Sequence, residues 1–479
     1  MKLSFLNLDG SYTRKIALNT IIQIIGKILT TAIAIAMLAY LARYLGVSGY
    51  GNYTTVFAFL GFFAILADMG FYNVAIREVA KHPEEAKKIM SNIFSLRILF
   101  ALFFLFLAPL AGMLIPGYSV IIKLGIWVGT LSSLFTLLNQ VFVSIFQERL
   151  RMDRLVISDV SARLILFLLV LVFIKLGLGL QYFIFANVIA NLFACALSFI
   201  MSRRFLVFGF GFNYQYWKYI LKESIPLGIV IVLGLIYFKI DTVMLSIIKG
   251  SEAVGIYGAP YKILEILITI PSIFMGSVFP LAAKYLKNND PRFKESFVKS
   301  FDFMSLMVLP IVISIFILAK PIVLLILGKE FLASIVPLRY LIFAVLIIFY
   351  GTIMGNFVVA ANLQKKLVWV YIFSVFFNIG TNLIMIPRYS YVGSSITTIA
   401  TEFLVCTLAF IIVYKHLKLT PRFAIFLKSL AASAIMGLFL YYFQNADLLL
   451  LVVFGITFYL TLLYIFRGIN KEMVSKMLK

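Results

Sequence analysis

The sequence is poor in charged residues and in the residue types that most often perform chemistry. Only 13% of its 479 residues are charged, and it contains two cysteines and two histidines. Cys195 and Cys406 lie inside apolar runs without metal-ligand spacing, so we interpret them as small buried residues and predict no metal site. His82 and His416 lie in basic connections and belong to no motif. The sequence therefore offers no sign of metal or cysteine chemistry.

The sequence also lacks a nucleotide-binding loop and any long polar region. It has no GxxxxGK[ST] segment, which would cradle phosphates in a protein that hydrolyses ATP, and no HExxH segment. No soluble domain separates its apolar runs, and alternate connections are only a few residues long. A membrane enzyme normally needs a sizeable polar region outside the bilayer, so we predict that the protein is not an enzyme.

Apolar residues make up 63% of the chain, against about 45–50% in a soluble protein. The surplus must face lipid, and a spanning helix needs about 20 apolar residues. The sequence therefore predicts an all-α polytopic membrane protein with about fourteen transmembrane helices. We place them at 16–42, 50–70, 91–115, 119–146, 155–176, 180–201, 220–247, 254–282, 300–320, 333–360, 366–386, 391–414, 424–443 and 447–467.

The net charge of +23 is explained by topology rather than by nucleic-acid binding. Lysine and arginine concentrate in alternate connections, among them 77–88, 203–222, 284–299 and 415–428. Because cytoplasmic connections carry the excess of positive charge, we predict that both termini are cytoplasmic and that the number of spans is even. We expect a multi-pass protein of the cell (inner or plasma) membrane.

The chain also contains a weak internal repeat. Gly51-Asn-Tyr53 corresponds to Gly255-Ile-Tyr257, and Ile189-Ala190 corresponds to Ile399-Ala400, at nearly constant spacing. Six predicted spans separate the copies, and an even number preserves orientation, so the repeat is parallel. We predict two pseudo-symmetric six-helix lobes, 1–205 and 206–419, with the last two helices and a cytoplasmic tail in 420–479.

Six cations lie within the apolar segments, where a central lysine or arginine costs about 2.5–3.5 kcal/mol on insertion scales. Such residues usually face a bundle interior or a water-filled cavity, but those near a span end can instead reach the headgroups. For Arg97 and Arg339, contact with the lipid headgroups is an equal alternative to a cavity role. Ion pairs are within helical reach for Arg163, with Asp159, and for Lys262, with Glu265. The six are Lys27, Arg97, Arg163, Lys239, Lys262 and Arg339.

Acidic residues within the spans are candidates for proton or cation binding or, alternatively, counter-ions for nearby lysines and arginines. Glu402 has no cation close in sequence and is the best lone candidate for coupling. Since the deepest charges are mainly cationic, they suit an anionic ligand such as a phosphate-bearing amphiphile. The embedded acids are Asp68, Asp159, Asp241, Glu265, Asp302 and Glu402.

Several loose motifs occur in the order seen in one transporter family. They are Leu45-Gly-Val-Ser-Gly-Tyr-Gly-Asn-Tyr53, Asp68-Met-Gly70, Asp241-Thr-Val-Met-Leu-Ser246, Gly328-Lys-Glu-Phe331 and Asn382-Leu-Ile-Met-Ile-Pro387. Together they resemble the polysaccharide transporter family of the MOP superfamily, the Wzx-type lipid-linked oligosaccharide flippases. The resemblance covers spans 1 to 12. One departure is Ser390, where the family often has glycine.

The resemblance implies a MOP/MATE-like fold and a flippase that moves a polyprenyl-diphosphate-linked oligosaccharide from the cytoplasmic to the outer leaflet by alternating access. Expected partners are membrane lipids, this glycan lipid and glycan polymerase or ligase proteins. We expect no cofactor, and a proton or sodium gradient is a candidate driving force. The rivals are a MOP exporter of a drug or other small amphiphile and, less favoured, a membrane enzyme of glycan assembly.

We assign roles to the embedded charges as hypotheses under this interpretation. Lys27, Lys239 and Lys262 would hold the diphosphate, with Arg97 and Arg163 nearer the cytoplasmic entrance. The gate or coupling residues would be Asp68, Arg77, Asp241, Glu265 and Glu402.

Overall fold

The structure, a computed structural model, describes residues 10–206 and 208–468, without the side chains of 10–18, 20, 226, 227 and 230. The predicted cytoplasmic tails at 1–9 and 469–479 lie outside the described residues. Within the described part the chain is helical and contains no strand. The helices are α1 (Gly10–Asp68), α2 (Phe71–Lys81), α3 (Ala86–Met113), α4 (Val120–Glu148), α5 (Met152–Lys175), α6 (Leu180–Ser202), α7 (Tyr214–Leu267), α8 (Thr269–Lys287), α9 (Arg292–Ile317), α10 (Ala319–Ile326), α11 (Ile335–Ala360), α12 (Gln364–Leu417), α13 (Phe423–Tyr442) and α14 (Leu448–Ile465).

Eleven helical stretches of the described chain are long and apolar enough to cross a membrane. Three of them run for 54 to 61 residues, more than twice the length of one span. Each of these three contains a kink, at Gly46, Gly250 or Ser390, where two helices meet. The eleven stretches therefore contain fourteen spanning helices, which confirms the predicted architecture.

The kinks in α1 and α7 have the same backbone conformation. Gly46 has φ 66° and ψ −179°, and Gly250 has φ 79° and ψ −172°. This region is open almost exclusively to glycine, because a Cβ would collide with the backbone. The two glycines lie at equivalent positions, five residues before Gly51 and Gly255 of the repeat. Each half of the chain thus turns between two spans in the same way.

Ser390 forms the third kink, in α12, with φ 50° and ψ −132°. Positive φ is uncommon for a residue with a side chain, and it costs roughly 1–2 kcal/mol. This is the position where the sequence departs from the glycine that the resemblance leads one to expect. The chain turns here nevertheless, so the departure adds strain without removing the hairpin.

The chain divides into two compact units, residues 1–239 and 240–479, and the division falls within α7. In the first unit α4 is central, since it packs against α1, α3 and α6. Gly125 and Gly129 allow this contact, because a Cβ at Gly125 would lie 2.7 Å from Ile184 of α6 and one at Gly129 would lie 2.6 Å from Leu60 of α1. In the second unit α11 packs against α8, α9 and α12, and α13 packs against α9 and α14. The predicted lobe boundaries at 205 and 419 stay a prediction.

Candidate functional site

Arg97 is completely buried in α3 and has two polar partners inside the first unit. Its guanidinium is ion-paired with Asp68 at the end of α1 and donates a hydrogen bond to the side-chain oxygen of Gln140 in α4. A charge out of water is tolerated only when it is paired and hydrogen-bonded. Arg97 is thus neither at a headgroup position nor exposed to a ligand, which favours a role in holding Asp68.

A cavity of about 330 Å³ lies beside this ion pair, within the first unit. Its polar wall comes from α4 and α6, and α1 and α7 contribute mostly apolar groups. Asp68 is the charged residue of the lining, and its side chain is 19% exposed. The lining residues are Phe57, Ala64, Ile65, Asp68, Ser132, Ser133, Thr136, Leu137, Gln140, Asn187, Asn191, Ile231 and Leu235.

Arg77, predicted as a gate residue, connects α2 to the start of α7. Its guanidinium lies 2.5 Å from a carboxylate oxygen of Glu223 and 3.1 Å from one of Glu78. Glu78 is buried and also accepts hydrogen bonds from Lys81 and from the phenol of Tyr219. The hydrogen bond to Glu78 raises the pKa of Tyr219, because it stabilises the protonated phenol. These residues form a charged latch between two helices of the first unit.

The break between α1 and α2 also approaches α7 closely. A Cβ at Gly228 of α7 would lie 2.7 Å from the backbone oxygen of Met69, and one at Gly70 would lie 3.2 Å from the backbone nitrogen of Gly228. Gly70 itself has φ 79°, which suits the break between α1 and α2. The backbone of α7 at Gly228 therefore packs directly on the backbone of Met69 and Gly70, which follow Asp68 in the chain.

The remaining predicted cations of the first unit occupy half-buried positions. Lys27 lies in α1, and Lys239 lies in α7 with its ammonium 5.7 Å from the ring centre of Phe238. Arg163 pairs with Asp159 one turn earlier in α5 at 3.2 Å, as predicted from their spacing. Lys27 and Lys239 keep their assignment as ligand-binding candidates.

In the second unit Asp241 is buried in a shell of neutral donors. Its Oδ1 accepts a 2.6 Å hydrogen bond from Asn382, and its Oδ2 accepts one of 2.6 Å from Thr398 and one of 3.2 Å from Tyr257. Asn378 contacts Asn382 in turn, with the amide of Asn382 donating at 3.0 Å. Asn382 and Thr398 lie on opposite sides of the Ser390 kink, so both arms of α12 hold the carboxylate.

Two side-chain oxygens of the residues linked to Asp241 by hydrogen bonds lack a partner among the described residues. They are Oδ1 of Asn382 and Oγ of Ser394, whose backbone oxygen accepts a hydrogen bond from Thr398, and both residues are fully buried. Buried polar atoms in native proteins are nearly always satisfied. An ionisable carboxylate surrounded by buried oxygens is the kind of group that binds a proton or a hard cation inside a membrane protein.

The other predicted functional charges of the second unit are Lys262, Glu265, Glu402 and Arg339. Lys262 is paired with Glu265 at 2.7 Å, as their spacing predicted. Glu402 is buried in α12. Arg339 is exposed, and its Nε donates to the backbone oxygen of Phe316 at 3.1 Å. No group of His, Cys, Asp and Glu side chains that could hold a metal ion occurs in the described part of the chain.

Sequence reasoning centred on charge missed the neutral groups around Asp68 and Asp241. The sequence feature that could have indicated these neutral groups is a pair of polar residues four apart inside an apolar run, because such residues lie on one helix face. Asn187 and Asn191 show it in α6, and Asn378 and Asn382 show it in α12. Which carboxylate each pair would face depends on helix packing, which the spacing does not contain.

Comparisons with known proteins agree with the resemblance. The family described as "Polysaccharide biosynthesis protein" matches residues 16–286, and the MatE family matches residues 226–384. A Shigella flexneri protein provisionally named an O-antigen transporter is 27% identical over 314 residues, which cover 62% of this chain and 72% of that protein.

Two solved structures share the fold at low sequence identity. The lipid II flippase MurJ, in an inward closed conformation, has a TM-score of 0.78 at 17% identity, covering 94% of this chain and 98% of its own. An inward-facing multidrug resistance MATE family transporter of the MOP superfamily has a TM-score of 0.65 at 14% identity, covering 82% of this chain and 98% of its own. Since the first family match spans more than half of the sequence, this chain belongs to the polysaccharide biosynthesis protein family, and it is a membrane transporter rather than an enzyme.

Proposed function

We propose that this protein flips a polyprenyl-diphosphate-linked oligosaccharide from the cytoplasmic to the outer leaflet of the cell membrane by alternating access. The match of residues 16–286 to the polysaccharide biosynthesis family carries the proposal. The relative named as an O-antigen transporter and the fold shared with a lipid II flippase support the same cargo class. The rival, a drug exporter like the MATE proteins, explains less well why lysines lie inside the spans.

Contacts to the phosphate oxygens of the cargo are assigned to Lys27 and Lys239 in the first unit and, separately, to Lys262 in the second. Lys27 and Lys239 lie inside predicted spans, where an ammonium is costly unless it serves a polar cavity or an anion. Lys262 also lies in a predicted span, where Glu265 already neutralises its ammonium. Lysine is a strong partner for phosphate oxygens, and charge-assisted hydrogen bonds are about twice as strong as neutral ones. Arg163, paired to Asp159, would lie nearer the cytoplasmic entrance.

Coupling to an ion gradient is assigned to Asp241. Its carboxylate is buried, its partners are neutral, and unsatisfied oxygens of Asn382 and Ser394 lie in the same buried cluster. Binding of a proton or sodium ion there would neutralise the carboxylate and change its contacts to both arms of α12. Glu402 is the second candidate for this role.

The decisive experiment measures flipping in proteoliposomes that carry a polyprenyl-diphosphate-linked oligosaccharide. A glycan-cleaving enzyme added outside reports the fraction of the oligosaccharide that is exposed on the outer surface. We expect Lys239→Ala to lower the flipping rate by about tenfold or more, since it removes a charged phosphate contact. The matched control is Lys249→Ala, the same change at an exposed lysine of the same helix. Wild-type rates for Lys27→Ala, Lys239→Ala and Lys262→Ala alike would remove the roles assigned to them. Absence of any flipping by the wild-type protein would remove the function.

A further inference from the structure

The cavity beside Asp68 carries two rows of neutral polar side chains. Ser132, Thr136 and Gln140 follow each other at four-residue intervals along one face of α4, and Asn187 and Asn191 do so along α6. With Ser133, six uncharged polar residues line this one cavity, which is unusual inside spans that are otherwise apolar. Small-molecule sites typically combine apolar walls with a few placed polar groups of this kind.

Hydrogen bonds within the protein fix the orientation of these amides. Asn191 donates to the hydroxyl of Ser132 at 2.8 Å, which links the two rows. Asn187 donates to the phenol of Tyr53 at 3.0 Å and to the backbone oxygen of Phe183 at 2.8 Å. With both amide hydrogens engaged, Asn187 can offer a ligand only its carbonyl oxygen. The polar wall is therefore preorganised before any ligand arrives.

The charge of this cavity is wrong for a phosphate. No lysine or arginine is among the lining residues that the structure describes. Asp68 contributes a carboxylate, and its partner Arg97 is buried and ion-paired behind it. An anion placed here would meet a negative group and no available cation. The donors and acceptors that remain suit a neutral molecule rich in hydroxyl groups, since hydroxyls both donate and accept.

We propose that this cavity is a binding subsite for a sugar residue of the cargo. The proposal rests on the proposed function, and it separates the recognition of the glycan from that of the diphosphate. A volume of about 330 Å³ is at the lower end of the range of about 300–1,000 Å³ for small-molecule sites. That size suits a small part of a glycan lipid, with Phe57, Ile231 and Leu235 offering apolar surface to the carbon faces of the ring.

The test compares two lipids on the purified full-length protein in nanodiscs. One is a polyprenyl diphosphate that carries no sugar, and the other is the same lipid bearing a single hexose. We expect Thr136→Val and Asn191→Leu each to weaken binding of the hexose lipid by about tenfold, because each removes polar contacts to the sugar. Neither change should alter the binding of the sugar-free lipid by more than about twofold.

Thr130→Val is the matched control, since it removes a threonine hydroxyl from the same helix outside the cavity lining. Equal losses for both lipids, or no loss for either, would overturn the sugar subsite and leave a cavity that holds only water. The lysine variants described above should weaken both lipids together. If the wild-type protein binds neither lipid, the proposed function fails first, so the two failures can be told apart.

Discussion

The fully buried guanidinium of Arg97 in α3 is ion-paired with the carboxylate of Asp68, which in turn forms part of a cavity wall. Two charged residues that the sequence analysis treated as separate functional candidates thus form one ion pair. Arg97 holds the carboxylate in place from the protein side, and Asp68 presents its other edge to the cavity. Both residues lie in the first unit, next to the close approach of Gly70 and Gly228.

Removing one member of this pair should destabilise the protein. Arg97→Met leaves Asp68 beside a low-dielectric interior without its partner, and breaking a buried ion pair costs about 3–5 kcal/mol. We expect a clearly lower melting temperature in a thermal-shift assay and partial recovery in the double variant with Asp68→Leu. The exposed pair Lys299–Glu295 is the control, since Lys299→Ala should leave the melting temperature unchanged. A double variant less stable than both single ones would contradict this account.

Gly228→Ala should disturb the contact between α7 and the break after α1. The new Cβ would lie 2.7 Å from the backbone oxygen of Met69, so helix or loop must move. Overpacking of this kind costs about 1–3 kcal/mol. Gly234→Ala, two turns later where a Cβ meets open space, should be neutral or stabilising. Thermal stability of the two variants, measured side by side, tests the contact, and equal values would argue against it.

The latch between Arg77 and Glu223 should affect transport more than stability. Both side chains are more than one third exposed, so the pair itself contributes at most about 1 kcal/mol. If it holds one state of the transport cycle, Glu223→Gln should change the flipping rate by about fivefold or more, while Arg77 stays paired with the buried Glu78. Glu223→Asp, which keeps the charge, should retain most of the wild-type rate. A wild-type rate in Glu223→Gln would mean that Arg77 acts through another contact.

Asp241→Asn should uncouple flipping from the driving ion. The amide is isosteric with the carboxylate but cannot take up a proton or bind a cation with the same charge. We expect flipping that no longer responds to an imposed sodium or proton gradient, with the fold retained. Glu252→Gln, at an exposed acid of the same helix, should keep the wild-type response. A wild-type gradient response in Asp241→Asn would transfer the coupling role to Glu402 or elsewhere.

Ser390→Gly should stabilise the protein by about 1 kcal/mol, because it relieves a backbone conformation that disfavours a side chain. The reverse change in the equivalent setting, Gly46→Ser, should destabilise it, since Gly46 has φ 66°. Melting temperatures of the two variants should therefore shift in opposite directions. A loss of stability in Ser390→Gly would show that the serine side chain contributes more than its backbone strain removes.

The local sequence pattern was enough to predict the spans and the short-range ion pairs. Apolar runs of spanning length located all fourteen helices, because lipid leaves few alternatives to a helix for an apolar segment. Pairs such as Lys262–Glu265 and Arg163–Asp159 followed from helical spacing alone. The roles assigned to individual charges, by contrast, stay predictions.

The sequence by itself determined that this is a helical membrane protein and how many times it crosses, while the predicted parallel repeat stays a prediction. Those properties depend on composition and on neighbours a few residues apart. Only the tertiary structure decided that Arg97 pairs with Asp68, that Asp241 is held by both arms of α12, and that two rows of amides and hydroxyls enclose a cavity. These partners are 29 to 157 residues apart along the chain, so their contact depends on which helix faces meet, and that is settled by packing.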